Sequence, residues 1–377
     1  MKDTRVRFET RTPFSLDLRR RVDAYLAVEG RDAAARRVMG RKTFVLFAAL
    51  ALGLGLAIVG ATTIFVLLGA LLAGLALAGL GMNVQHDGGH RAYSKDAATN
   101  RRAAAVLDFL GASSYVWHVK HGVAHHTYPN IEGADEDIEL RPFARMAPGQ
   151  PHHWFHRFQH VYLPLLYGFI TIKWFWWDDY RDLLRGSIGS TPITRPRGRD
   201  LAVFVAGKLV HLLWAVVLPI ATLGWGLGLL FYVGMHMVGG MTLALVFQLA
   251  HCVEEAEFVQ PPREGAGPLV RDFHAHQLAT TVDFAPDNAL IGWYVGGLNF
   301  QAVHHLFPRV CHVHYRALAP IVAQCCAEHG VPYKANPSFL AAVGSHLRWL
   351  RRMGRGEQRV RPLDELEPIA TPTARAA

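Results

Sequence analysis

From Thr43 to Gly81 the chain carries no charged residue. That run is nearly twice the ~20 apolar residues that one membrane helix needs, so it reads as a hairpin of two spans turning near Gly60, Ala61 and Thr62. A second pair of spans is expected at about 201–223 and 225–252, divided by an uncharged turn around Gly224. Lys208 and His211 interrupt the third span, and Lys208 has a stem long enough to snorkel toward a headgroup. Buried helices of a large soluble protein are the competing reading, and the length of both stretches argues against it.

Charge then sets the orientation. Half of the 377 residues are hydrophobic, yet the formal net charge is +9, and a basic cluster at Arg19, Arg20, Arg21, Arg36, Arg37, Arg41 and Lys42 precedes the first span. By the positive-inside rule both termini and the segment between the hairpins face the cytoplasm. The expected plan is a cytoplasmic segment at 1–42, transmembrane hairpins at 43–81 and 201–252, and parts of a cytoplasmic cap at 82–200 and 253–353. A tail at 354–377 reads as disordered, being rich in Arg, Pro and Glu with no apolar period. Charges scattered through the first 42 residues exclude a cleavable signal peptide. Between Pro151 and Leu184, Trp154, Phe155, Phe158, Tyr162 and the run Trp174 to Trp177 lie among charged residues, the pattern of interfacial amphipathic helices. The class is an all-α integral membrane protein, multi-pass and of a bacterial inner membrane. No nucleotide-binding glycine pattern appears, and no nucleic-acid partner is expected.

Chemistry enters with histidine. There are 21 histidines against 4 cysteines, and Cys252, Cys311, Cys325 and Cys326 lack metal-binding spacing, so a metal site must rest on imidazole. His86 and His90 follow the second span four residues apart, on one face of a continuing helix. In Trp117-His118-Val-Lys-His121-Gly-Val-Ala-His125-His126, His121 and His125 share a face and His126 points toward a second metal. His118 ranks below these. His304 and His305 form a third cluster, and His251 ends the fourth span. All eight positions fall on one side of the membrane, enough for two metal ions. Single histidines near an interface are more often hydrogen-bonding residues, but three spaced clusters after an even number of crossings are not explained that way. His152, His153, His156 and His160 take the bland reading beside interfacial aromatics.

These residues resemble the membrane fatty acid desaturases, in particular the group similar to bacterial linoleoyl-CoA and eukaryotic front-end desaturases. The likeness is carried by the string from Leu18 to Tyr25, His86-Asp-Gly-Gly-His90, the box from Lys120 to Asn130, Phe247-Gln-Leu-Ala-His251, His276-Gln-Leu, and Gly296-Gly-Leu-Asn-Phe-Gln-Ala-Val-His-His-Leu-Phe-Pro308. It implies four transmembrane helices in two hairpins under a cytoplasmic helical cap that holds a di-iron site. The implied ligands are His86, His90, His121, His125, His126, His304 and His305. Gln301 stands where other desaturases place a histidine, and His251 supplies the missing imidazole or holds a metal-bound water. Gly122 and His118 depart from the family's usual asparagine and basic residue.

The implied reaction removes two hydrogens from an unactivated alkyl chain, which no side-chain acid or base can do, so the oxidising power comes from two iron ions and dioxygen. Neutral imidazoles bind iron, so activity should fall at acidic pH. Asp87, Asp135, Asp137, Glu254 and Asp283 are candidates to orient the rings, and His276 and His312 to contact them or the acyl headgroup. With no flavin, haem or cysteine cluster in the chain, two electrons must come from a ferredoxin or similar carrier with its reductase. The substrate is a fatty acyl chain on coenzyme A, acyl carrier protein or a membrane lipid. A membrane di-iron lipid hydroxylase or ketolase is the nearest alternative. A histidine-relay metal transporter is the alternative from another class, but it would place ionisable groups facing one another within the spans.

Overall fold

The computed structural model of the chain describes residues 6–28, 31–260 and 269–358. Among these, three helices are long and apolar enough to cross a membrane: Ala33–Gly60, Thr63–Gly89 and Gly198–His251. A short N-terminal helix, α1 (Pro13–Leu26), precedes them and opens on a capping box between Thr12 and Ser15.

Helices α2 (Arg31–Gly60) and α3 (Thr63–Leu80) run antiparallel, joined through Ala61 at φ 47°. Glycine lets their backbones touch. A Cβ added at Gly69 would sit 2.4 Å from the Gly53 carbonyl oxygen, and one at Gly53 would sit 2.7 Å from the Ala73 nitrogen. In lipid, where burying apolar surface drives little, such close approach supplies the packing energy. The helices also overrun the limits expected from charge. α2 begins twelve residues before Thr43, and α3 continues through a π-helical turn (Gly81–Gln85) into a last turn, His86–Gly89. Loss of apolar character marks a membrane edge, whereas backbone hydrogen bonding continues beyond it.

The third stretch is 54 residues long and would measure ~81 Å if straight. It comprises α4 (Gly198–His211), a π-helical turn (Leu212–Val217) and α5 (Leu218–His251), with Gly224 at φ 78°, ψ 169° inside α5. The chain doubles back there. His211 and His236 would stand ~37 Å apart along a continuous helix, yet their Nε2 atoms are 3.2 Å apart. α5 then lies against α3, where a Cβ on Gly74 would meet the Met235 carbonyl oxygen at 2.5 Å. Leu46, Leu77, Phe231, Met235 and Leu243 fill the core between the helices, while Phe44, Leu52, Ile64, Leu71, Leu213 and Trp225 are exposed around it. Lys208 does not snorkel: its Nζ donates to Asp179 Oδ2 at 2.6 Å and to the Gly111 carbonyl at 2.7 Å.

The aromatic segment is a train of short 3₁₀, α and π turns from Trp154–Phe158 to Asp179–Arg185, with Trp154, Phe158, Trp176 and Trp177 exposed. Its His156 Nε2 donates to the Pro142 carbonyl (2.8 Å) and its His152 Nε2 to the Gly354 carbonyl (2.8 Å), backbone partners in keeping with the bland reading. The cap is completed by α6 (Gln301–Leu306), α7 (Tyr315–Glu328) and α8 (Phe339–Gly354). Leu18 and Val22 of α1 are buried in one cluster with Leu318 and Val322 of α7.

Purely α is too simple a description. Val6–Glu9 pairs in parallel with Leu269–Asp272, Asp283–Phe284 pairs in parallel with Ala335–Asn336, and Ser187–Ile188 pairs with Thr191–Pro192. Strands of two to four residues are too short to show a period in sequence. The expected tail at 354–377 lies outside the described residues from 359 onward. Its beginning is packed, since Arg145 donates to the Glu357 carbonyl at 3.2 Å and Arg352 to the Glu357 carboxylate at 2.9 Å.

Candidate metal centre

Four elements deliver eight imidazoles to one place. The last turn of α3 brings His86 and His90, and a π-helix (His118–His125) with its following residue brings His121, His125 and His126. α6 brings His304 and His305, and the last residue of α5 is His251. None of the eight is more than 9% exposed. They fall into three overlapping groups whose ring nitrogens lie within 4.8 Å of one another: His86, His90, His121 and His304; His125, His251 and His305; and His126, His304 and His305.

This grouping corrects one expectation. His121 and His125 do stack, with centroids 5.1 Å apart, but they serve different groups. The intervening backbone is π-helical, and its wider turn, common at functional sites, alters the angular offset that an α-helical reading assigns to four residues.

The outer ring nitrogens fix the tautomers. His125 Nδ1 donates to both Asp135 oxygens (3.2 and 3.1 Å), His305 Nδ1 to Gln277 Oε1 (2.7 Å) and His251 Nδ1 to the Thr280 carbonyl (3.2 Å). Each of these rings therefore presents an unprotonated Nε2 inward. The Nε2 atoms of His90, His125 and His305 are buried with no hydrogen-bond partner. Nε2 of His121 lies 3.3 Å from Nε2 of both His86 and His126, and the latter lies 3.0 Å from His304 Nε2. Converging, desolvated lone pairs of this kind fit metal cations, and imidazole donors suit iron, zinc, copper or nickel.

Electrostatics favours the same state. Burial, with mutual repulsion added, holds His90, His126, His304 and His305 well below the ordinary imidazole range, so these rings remain neutral in mildly acidic solution. Burial also lowers His121, partly offset by Asp137. At His125 burial acts in the same direction, but Asp135 and Asp137 outweigh it and raise the pKa. Asp135 is itself locked by the Asn130 and Asp137 amides at 2.9 and 3.0 Å. Asp135→Asn should keep the fold and weaken metal binding by ~10–100-fold, measured by competition with a chelator of known affinity.

Gln301 sits beside the second group, its Nε2 donating to His251 Nε2 at 2.9 Å. The remaining candidates lie outside the groups. His118 is exposed. His276 packs on the Phe8 ring at 5.1 Å, 3.3 Å from an Arg271 nitrogen. His312 is held from both sides, its Nδ1 on Asp87 Oδ2 at 2.9 Å and its Nε2 on Lys42 Nζ at 2.8 Å. A buried ammonium at that point disfavours a metal cation there. Glu254 pairs with Arg348 and Arg352 instead of orienting a ring. Asp283 acts through the backbone, accepting from the Ala302 amide at 2.9 Å near the start of α6. The sequence reading missed Gln277, which also donates to the His126 carbonyl at 3.0 Å. Its only signal was its place in His276-Gln-Leu.

Membrane-length helices that end in a buried nest of eight imidazoles are features of a known class, and the chain belongs to it. It is a member of the fatty acid desaturase family, a family of membrane-bound oxidoreductases whose model, Fatty acid desaturase, matches residues 61–337. Among its relatives, the sn-1 linoleoyl-lipid 6-desaturase of Arthrospira platensis is 36% identical over 354 residues, 93% of this chain and 95% of that one. The enzyme of the same name from Synechocystis is 37% identical over 359 residues, 93% and 98% of the two chains. The Acyl-lipid (8-3)-desaturase of Physcomitrium patens is 39% identical over 287 residues, 75% of this chain and 59% of the moss protein. These names specify acyl lipids, where the sequence resemblance pointed to linoleoyl-CoA.

Proposed function

We propose that this protein is a di-iron acyl-lipid desaturase that introduces a carbon–carbon double bond into a membrane-lipid acyl chain, using dioxygen and two electrons from a ferredoxin-type donor. The observation that carries the reading is the nest of eight inward-facing imidazoles in a member of this family. The first group, with His126, would hold one iron, and His125, His251 and His305 the other. When bound, the irons supply the oxidising power that an unactivated methylene pair demands. The chain's own residues do the rest. Asp135, Gln277 and the Thr280 carbonyl aim the rings, and Trp117, stacked on His121 at 4.7 Å and edge-on to His90 at 5.3 Å, walls the site from water.

Anaerobically purified protein should contain about two irons per chain, since eight imidazole donors suffice for two such ions. Given a reduced ferredoxin and lipid, it should yield a new alkene. A hydroxylated product with no alkene would overturn desaturation in favour of a lipid hydroxylase.

The topology proposed with this function is four crossings, both termini and the metal centre cytoplasmic, in a bacterial inner membrane. The reversal at Gly224 and the uncharged turn at Ala61 support it. Cysteines introduced at Ala61 and Gly224 should react with an impermeant maleimide from outside intact inner-membrane spheroplasts, and one at Arg91 should not. Labelling at Arg91 from outside would reverse the orientation.

A further inference from the structure

Three of the four imidazoles in the first group, His86, His90 and His304, sit on two elements that are far apart in sequence. Both elements are tied to one short stretch, the 3₁₀ turn His312–His314 and the Tyr315 that follows it. The string that leads into α6 shows how closely this turn is drawn in. Gly296 and Gly297 take φ of 63° and 68°, left-handed values that glycine adopts without steric cost. A Cβ on Gly296 would meet the Met82 carbonyl oxygen at 2.5 Å, and one on Gly297 would meet the His312 carbonyl oxygen at 3.1 Å and the Tyr315 ring at 3.0 Å. The glycine pair is threaded between the π-helical end of α3 and the turn, with no room for a side chain on either side.

The first tie runs through His312. Lys42 Nζ donates to its Nε2 at 2.8 Å, so the ring proton is on Nδ1. Nδ1 then donates to Asp87 Oδ2 at 2.9 Å, and the His312 amide donates to the same oxygen at 3.3 Å. Asp87 is the residue after His86 in the turn that ends at His90, and its own carbonyl accepts from the Ala92 amide at 2.7 Å. Lys42, His312 and Asp87 are all buried, so water does not replace a partner that is lost.

The second tie is Tyr315, buried at the start of α7, whose Oη lies 3.1 Å from His304 Nδ1. Donation from Nδ1 to that hydroxyl leaves the Nε2 lone pair of His304 free, and Nε2 is the atom that faces His126 at 3.0 Å. The rings of the other ion's group are held elsewhere: His125 by Asp135, His251 by the Thr280 carbonyl and His305 by Gln277.

We infer that residues 312–315 position the first imidazole group and not the group of His125, His251 and His305. His312, through Asp87, fixes the turn that carries His86 and His90, while Tyr315 fixes His304. Both are positioning residues for one ion of the two. The inference deepens the metal-centre reading and rests on it for the ion.

The test reads metal binding, not turnover. Purified full-length protein is stripped with a chelator and titrated with Co2+, whose visible absorption reports imidazole ligation, in competition with an indicator of known affinity. The wild type should take up about two ions per chain. Tyr315→Phe keeps the ring and deletes only the hydroxyl; it should weaken one binding step by ~10–100-fold and leave the other unchanged. His312→Leu should weaken the same step, and His312→Asn, which retains a donor for Asp87, should recover most of that loss. Tyr25→Phe removes a hydroxyl that lies 3.5 Å from His314 of the same turn, outside the eight rings, and should leave both steps as they are. In a His251→Ala background, where the other ion is lost, Tyr315→Phe should weaken the ion that remains.

Wild-type affinity in both steps of Tyr315→Phe overturns the inference. So does an equal loss in both steps, which marks general destabilisation, and so does the same loss in Tyr25→Phe. A remaining ion in the His251→Ala background that does not respond to Tyr315→Phe overturns it as well. A wild-type protein that binds no Co2+ would instead sink the metal-centre reading, and the inference with it.

Discussion

His304→Ala should empty the centre of metal and abolish turnover while leaving a folded protein. His304 belongs to two of the three imidazole groups, and its Nε2 stands 3.0 Å from that of His126. Removing a partner that merely orients a ligand costs ~10–100-fold in metal affinity, so removing a ring shared by both groups should exceed that range. Iron per chain, measured by elemental analysis after gel filtration, is expected to fall below half of the wild-type value. Activity should fall by at least ~100-fold. His118→Ala, a change at an exposed histidine outside the groups, should retain both. A His304→Ala protein with its full iron content would remove this ring from the ligand set.

The second large effect lies in the first hairpin. Gly69→Val should prevent stable folding, because a Cβ there meets the Gly53 carbonyl oxygen at 2.4 Å and the Ala57 side chain at 3.0 Å. Neither contact can be relieved by rotating a long side chain, so α2 and α3 must separate. Overpacking costs ~1–3 kcal/mol where neighbours can yield, and a backbone obstruction belongs at or above the upper end. Gly55→Val places the same side chain on the same helix pair where nothing lies within 4 Å. Thermal stability in detergent, followed by the monodisperse fraction on gel filtration, should drop sharply for the first variant and hold for the second. Equal behaviour of the two would mean that the hairpin is not held by glycine contact.

Much of this architecture is legible in the sequence because two simple constraints act on it. Lipid admits long uncharged runs and little else, so 43–81 announces its character without tertiary information. Histidines are scarce enough that three spaced clusters stand out, and the structure brings those clusters together. What cannot be read is their division into groups. His121 and His125 part company because of a π-helical turn, which leaves no mark in residue spacing. The partners of the rings are equally hidden. Gln277 reaches His305 across 28 residues, and Glu254, a plausible orienting acid by position, is taken by two arginines of α8. Lys42 was read as part of a topogenic cluster, yet it is 4% exposed and holds His312. Charge counting sees its sign but not its neighbours.

The parallel pairing of Val6–Glu9 with Leu269–Asp272 has a consequence for how the protein is made. At ~5–20 residues per second, the opening strand leaves the ribosome tens of seconds before its mate exists. His304 and His305 emerge later still. Throughout that interval the helical hairpins can enter the bilayer, but no complete cage for a cation has yet been synthesised. The full set of imidazoles that could hold a metal therefore comes together only late in synthesis, and the last turns of the cap to be assembled decide when the chain becomes an enzyme.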